Sequence, residues 1–197
     1  MPSVAVLVIG IGGWDKYTAP LLRQVQAFEP DARLVVIDNA SPDPYPIAPW
    51  IHRTPRLCYA AAINAARRIA GDTDWTIVLS NDVRCKGTFI AHLQWYEDSV
   101  IGPRLMMNQG YEYIEGWCVA APRAVWNATG GWDERFLVSS WEDVDFSVSA
   151  VEHGFRLERV PLPFDHLDQR QRFELPEYAG TDRRNNAFMI EKHGVPE

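Results

Sequence analysis

Three segments place small or acidic residues directly after an apolar run. Gly10-Ile11-Gly12-Gly13 follows SVAVLVI, Asp38-Asn39 follows RLVVI, and Ser80-Asn81-Asp82 follows WTIVL. In open α/β sheets, ligands bind at the carboxyl ends of strands, near the point where strand order reverses. A carboxylate there can contact the base or ribose of a nucleotide, or it can hold a hard divalent cation. Mg2+ and Mn2+ take oxygen ligands and are usually bound by one or two carboxylates together with substrate phosphates. Asp38 and Asp82 together point to a nucleotide contact plus a metal site. Taken singly, each has a plainer reading, because Asp and Asn are ordinary turn-formers. GIGG is not the G-x-G-x-x-G of dinucleotide folds, and Trp14-Asp15 stand where its helix would start.

The elements that would hold these residues follow from the apolar pattern. SVAVLVIG is continuously apolar and β-branched, as suits a strand buried on both faces of a parallel sheet. Thr18 is the expected N-cap of a helix with Pro20 in its first turn and Leu21, Leu22, Val25 and Phe28 on one face. RLVVID is a second strand, closed by the turn-rich NASPDPYP. Tyr59 to Ala70 is Ala-rich and helical, ending at Gly71, and WTIVL and SVIGP follow as strands. In the second half, EGWCVAAP and FRLERVPLP read as strands. Pro122 to Thr129 reads as a short helix stopped by Gly130-Gly131, and EDVDFSVSAVEHG as a helix with an acidic start. Alternating strands and helices predict an α/β fold, with a Rossmann-like, mostly parallel central sheet flanked by helices. One domain over residues 1–166 and a short polar C-terminal extension over 167–197 are expected, the latter packing on or near the site.

Composition narrows the classes. The chain has 197 residues, 47% of them hydrophobic, and 8 Trp, which suits a folded domain with one sizeable core. A net charge of -7 excludes a broad nucleic-acid-binding surface but leaves room for a local phosphate pocket. Cys58, Cys85 and Cys118 have no CxxC spacing, so neither a disulfide framework nor a zinc site is expected. No run reaches the roughly 20 apolar residues of a membrane span. The expectation is a soluble, cytoplasmic protein.

Three stretches in order carry a resemblance: VVIDNASPD (35–43), YAAAINAARRIAGDTDWTIVLSNDV (59–83) and GWCVAAPRAVWNATGGWDERFLVSSWEDVDFSVSAVEHGFRLERVP (116–161). Together they resemble the family 2 glycosyltransferases, inverting nucleotide-sugar enzymes with the GT-A fold, and in particular their rhamnosyltransferase-like branch. The resemblance covers roughly residues 4 to 166. It implies that Asp38 contacts the base or ribose, with Gly10, Ile11, Asn64 and Asn81 lining the donor nucleotide site. It further implies that Asp82 and His166 hold Mn2+ or Mg2+, that Asp143 is the general base with Glu142 its nearest competitor, and that Trp141, Asp133, Glu134 and Trp117 are placed near sugar or acceptor. The donor would be a UDP-, dTDP- or GDP-linked sugar and the acceptor a hydroxyl-bearing molecule. Without the resemblance, Glu142, Asp143 and Asp145 read as ordinary acidic residues complementing a helix dipole, and Trp132 and Trp141 as core aromatics.

The sequence departs from that family in three places. GIGGWDKY lacks the usual turn after the first strand, Ser80 stands where many relatives carry an acid, and the SVSAVEHG that follows EDVDF contains no arginine. Arg170, Arg172, Arg183 and Arg184 are candidates to meet phosphate charge instead. Two other readings stay open: a nucleotidyltransferase that makes nucleotide sugars, and a nucleotide-sugar binding module that has lost catalysis.

Overall fold

The computed structural model describes residues 1–167 and 180–195. The strands are β1 (Val4–Gly10), β2 (Arg33–Asn39), β3 (Ile51–Thr54), β4 (Trp75–Ser80), β5 (Val83–Cys85), β6 (Ser99–Gly102), β7 (Leu105–Asn108), β8 (Tyr111–Ile114), β9 (Cys118–Pro122), β10 (Arg156–Arg159) and β11 (Phe164–His166). The helices are α1 (Ala19–Phe28), α2 (Tyr59–Ala70), α3 (Ile90–Leu93), α4 (Arg123–Thr129), α5 (Glu142–Glu152) and α6 (Thr181–His193).

Seven strands form one sheet in the order β10-β6-β9-β4-β1-β2-β3. β9 runs antiparallel to both its neighbours and every other pairing is parallel. The chain runs outward from β1 to β2 and β3, then returns to place β4 on the other side of β1. That reversal is a switch point, and the register there is decisive. Gly10 lies opposite Asp38, and Ile9 opposite Ser80, so the three strand ends read from the sequence stand side by side.

Strand alternation sends β1 side chains to two cores. Val4, Val6 and Val8 pack with Leu21, Leu22 and Val25 of α1. Ala5, Leu7 and Ile9 pack with the alanines and Ile63 of α2, and with Val125, Trp126, Phe146 and Ala150 of α4 and α5. Burying each larger aliphatic side chain contributes about 1.5–3 kcal/mol. The alanines at positions 60, 62, 66 and 70 are fully buried and keep α2 close to the sheet.

Two elements differ from expectation. Thr18 does not cap α1: it is itself helical (φ -64°, ψ -51°), the last residue of a π-helical turn over Trp14–Thr18. Its hydroxyl donates to Tyr45 Oη at 3.1 Å instead, so it builds the turn after β1. The polar tail contains a regular helix, α6, whose contacts are described below. The three cysteines are free. Among the described residues, no helix is long and apolar enough to cross a membrane.

A Cβ placed on Gly102 at the end of β6 would lie 2.4 Å from Ile114 Cγ2 and 2.5 Å from the Cys118 carbonyl oxygen. Gly102→Ala is therefore expected to cost about 1–3 kcal/mol through overpacking, read as a lower urea midpoint. Unchanged stability would show that β6, β8 and β9 separate freely there.

Candidate active site

Past the end of β4 the chain takes a short step, Asn81-Asp82, and enters β5. This strand pairs outside the main sheet with β11, antiparallel, with His166 opposite Val83. The ladder continues as Leu167 N–H donates to the Asp82 carbonyl at 2.9 Å. It brings His166 Nε2 to 3.3 Å from Asp82 Oδ2, with only 15% and 6% of the two side chains exposed. Trp117 stacks on the His166 ring with centroids 5.0 Å apart and planes 12° apart. Among the described residues, buried Nδ1 of His166 finds no hydrogen-bond partner.

This pair fits a divalent cation. Adjacent ligands on an octahedral ion with bonds of about 2.1 Å lie about 3 Å apart, close to the separation found here. Among the described residues, no group of three or more His, Cys, Asp or Glu side chains surrounds an ion by itself. Asp82 and His166 would thus supply two ligands and leave the rest to a diphosphate and water.

The acidic segment lies at the start of α5. Asp143 Oδ2 accepts the Gly116 N–H at 2.8 Å and Oδ1 accepts the Val144 N–H at 3.0 Å. Both carboxylate oxygens are thus held by backbone donors. A Cβ on Gly116 would sit 3.0 Å from Asp143 Oδ2, so glycine permits this close approach. Glu142 is buried, 4% exposed, and accepts from Ser139 Oγ at 3.0 Å.

Tyr59, the first residue of α2, joins the two acidic groups. Its hydroxyl lies 3.4 Å from Ser80 Oγ and donates to the Gly116 carbonyl at 3.4 Å. Burial pushes its pKa up, the Ser80 hydrogen bond opposes this weakly, and the charges of Glu142, Asp82 and Asp143 push it further up. The phenol therefore stays protonated, a fixed donor among three carboxylates. Sequence reasoning treated Tyr59 only as a helix start. The available signal was a tyrosine heading an otherwise small-residue run, YAAAINAA.

The residues expected to face a nucleotide are mostly engaged with the chain itself. Asp38 is 1% exposed and accepts from Ser41 N–H (2.9 Å), Tyr45 N–H (3.0 Å) and Arg53 (3.1 Å). Burial raises its pKa, but hydrogen bonds from Ser41 and Tyr45 and the Arg53 charge outweigh that and hold it below its ordinary value. Asn81 Nδ2 donates to the Gly12 carbonyl (3.1 Å), Thr18 Oγ1 (3.2 Å) and Tyr45 Oη (3.3 Å). Gly10 leaves space for this group, since a Cβ there would lie 2.4 Å from Tyr45 Oη. Ile11, by contrast, is half-buried at the turn itself. Asn64 spends its amide on the chain: Oδ1 accepts Trp132 N–H (3.0 Å), and Nδ2 donates to the Trp132 carbonyl (2.7 Å) and Glu134 Oε1 (3.0 Å). It orders the 130–134 loop.

Of the sugar-facing candidates, Trp141 is buried. It is 3% exposed, packs edge-on against Tyr111, and donates Nε1–H to Asp182 Oδ1 at 3.0 Å, so its ring faces α6. Trp132 stacks on Phe146 in the core. Trp117 is buried against His166, with Nε1 donating to Glu115 Oε2 at 2.8 Å. Asp133 bonds to Arg135 and Lys192, which overcome the effect of burial and hold its pKa far below the carboxylate range. Glu134 is half-exposed and also lies 3.8 Å from Arg68. Arg183 and Arg184 are exposed on α6, while Arg170 and Arg172 lie outside the described residues.

No family model and no curated protein matches the sequence. Solved structures match in fold. A mannosyltransferase from Pyrobaculum calidifontis, in complex with GDP-Man and Mn2+, shares 14% identity at a TM-score of 0.73 over 99% of this chain and 66% of its own. GalNAc-T7 with UDP, GalNAc and Mn2+ gives 13%, 0.79, 97% and 48%. Drosophila beta1,4galactosyltransferase 7 in complex with xylobiose gives 14%, 0.58, 86% and 72%. The chain thus has the GT-A glycosyltransferase fold, and it spans less than two thirds of the length of the first two structures.

Asp38→Ala is expected to cost about 1–3 kcal/mol at neutral pH, as for a lost buried acceptor. Because the folded pKa lies below 3.8, this contribution is fully present above that value and is lost as pH falls through the folded pKa. Urea denaturation of wild type and variant should show a gap that narrows in acid. An equally wide gap at about pH 3 would mean that Asp38's charge is not its source.

Proposed function

We propose that this chain is an inverting, metal-assisted glycosyltransferase of the family 2 type, moving a sugar from a nucleoside diphosphate to an acceptor hydroxyl. The observation that carries the reading is the convergence of Asp82, after β4, and His166, far later in the chain, at the carboxyl edge of the sheet beside the anchored carboxylate of Asp143. A divalent cation bound there would offset the charge that develops on a departing nucleoside diphosphate. A nitrogen–oxygen ligand pair suits Mn2+ better than Mg2+, which takes oxygens.

Asp143 is the general base. Gly116 N–H and Val144 N–H fix its orientation, and a carboxylate so held can take the acceptor proton as the hydroxyl attacks the anomeric carbon. Attack from the face opposite the leaving diphosphate gives inversion. Glu142, more deeply buried and bonded to Ser139, supports the segment. Tyr59, kept neutral by its surroundings, gives its hydroxyl proton to the Gly116 carbonyl and so helps hold the backbone that anchors Asp143. The donor is a UDP-, GDP- or dTDP-sugar.

Calorimetric titration of UDP, GDP and dTDP, with Mn2+ and with EDTA, tests the donor site. One diphosphate should bind only with metal, and both Asp82→Ala and His166→Ala should abolish that dependence. Asp143→Asn should keep binding and lower turnover by roughly 10²–10⁴. Failure of all three diphosphates to bind would refute an active transferase with these donors.

A further inference from the structure

The segment between α4 and α5 contains three non-glycine residues with positive φ: Val138 (59°), Ser140 (100°) and Trp141 (74°). Such backbone is costly and persists only where surrounding groups over-determine it, which is characteristic of functional segments. These residues lead directly into Glu142 and Asp143. On one side, the segment is tied to α2, whose Tyr59 N–H donates to the Val138 carbonyl at 2.8 Å. On the other side lies α6.

We infer that α6 is a clamp that sets the position of the Glu142–Asp143 pair, with Asn185 as its positioning residue. Asn185 is 1% exposed. Its Oδ1 accepts Leu137 N–H at 3.3 Å, and Nδ2 donates to the Leu137 carbonyl at 3.1 Å and the Ser140 carbonyl at 2.8 Å. One side chain thereby satisfies the backbone on both sides of Val138. One turn earlier, Asp182 Oδ1 accepts from Ser140 Oγ at 2.7 Å and from Trp141 Nε1–H at 3.0 Å. Further along, Met189 packs against Trp141 and Val144. Lys192 and His193 then reach Asp145 at 2.6 Å and 2.7 Å, so the clamp also grips the first turn of α5. None of these α6 groups reaches Asp82 or His166. The clamp therefore acts on the proton-accepting side of the site and leaves the metal side alone. Misplacing a reacting group by about 1 Å can cost 10²-fold in rate.

The inference rests on the transferase reading, and the experiment separates the two. Asn185→Asp keeps the shape but turns the Nδ2 donor into an acceptor facing two carbonyls, while Asp182→Ala removes an exposed residue that folding can spare. For each variant, binding of GDP and UDP with Mn2+ is measured by calorimetry, and hydrolysis of GDP-mannose and UDP-galactose by diphosphate release. Backbone hydrogen exchange at Leu137, Val144 and Asp145 gives a readout independent of turnover. Turnover is expected to fall tenfold or more and exchange at these three amides to rise at least tenfold. Diphosphate affinity should stay within twofold and the β1 and β4 amides should keep their protection. Exchange unchanged in both variants, or turnover within twofold, or affinity falling in step with turnover, overturns the clamp. A wild type that binds none of GDP, UDP and dTDP with Mn2+ overturns the transferase reading and the clamp together. A wild type whose metal-dependent binding is lost only in Asp82→Ala, with α6 variants turning over normally, overturns the clamp alone.

Discussion

Like charges gathered in a half-buried space repel each other, and this molecule gathers three of them. Asp82, Glu142 and Asp143 all lie near enough to the Tyr59 hydroxyl to raise its pKa. Such a group survives only if fixed donors compensate it. Here the donors are Gly116 N–H, Val144 N–H and Ser139 Oγ, all set by the backbone at the edge of β9 and the start of α5. Asp143 has no rotamer freedom to escape its neighbours while both its oxygens are engaged. The concentration of negative charge is thus built into the chain path, at the edge of the sheet where a cation and a diphosphate would meet it.

The sheet makes that edge. Parallel pairing of β1 with β2 and β4 aligns Gly10, Asp38 and Ser80, so one apolar core supports three polar strand ends. The small β5–β11 ladder then does what the large sheet cannot. It turns the chain after Asp82 away from the core and carries a late histidine back over it. Trp117, just before β9, stacks on that histidine. Two sheets of different size therefore share one junction, and the Asp82–His166 pair sits on it.

Much of this was legible in the sequence. The strands buried on both faces read directly from β-branched apolar runs, and α2 from its alanines. Asp82 was readable because an apolar strand stops there abruptly. The β5–β11 ladder was not, because VRC and FDH are too short to show alternation, and their pairing is set by tertiary contact. Nor was α6: TDRRNNAFMIEKH is polar nearly all round, and it is held by buried hydrogen bonds from Asn185 and His193 rather than by an apolar stripe. The surroundings of Trp141 were hidden for the same reason, since its neighbours in sequence are acidic while its neighbours in space are Tyr111, Met189 and Asp182. Periodicity reports burial against a sheet well and reports polar docking poorly.

The turn after β1 shows how a departure from a family pattern can be compensated. GIGGWDKY lacks the usual proline-bearing turn, and Gly12 and Gly13 adopt positive φ (68° and 66°) to reverse the chain. What holds that reversal is a hub centred on Tyr45 Oη, which donates to the Gly12 carbonyl at 2.6 Å and accepts from Thr18 and Asn81. Asp38 in turn holds the Tyr45 backbone. Asp38 and Asn81, which the resemblance assigns to the nucleotide, are thus engaged in shaping the turn that would receive it. Their oxygens and amide are committed before any ligand arrives. The backbone of the turn is engaged in the same way, since Gly12 N–H donates to Ser41 Oγ at 2.7 Å and the Gly13 carbonyl accepts from Tyr17 N–H at 2.9 Å, while the half-buried Trp14 ring packs 5.1 Å from that of Tyr45.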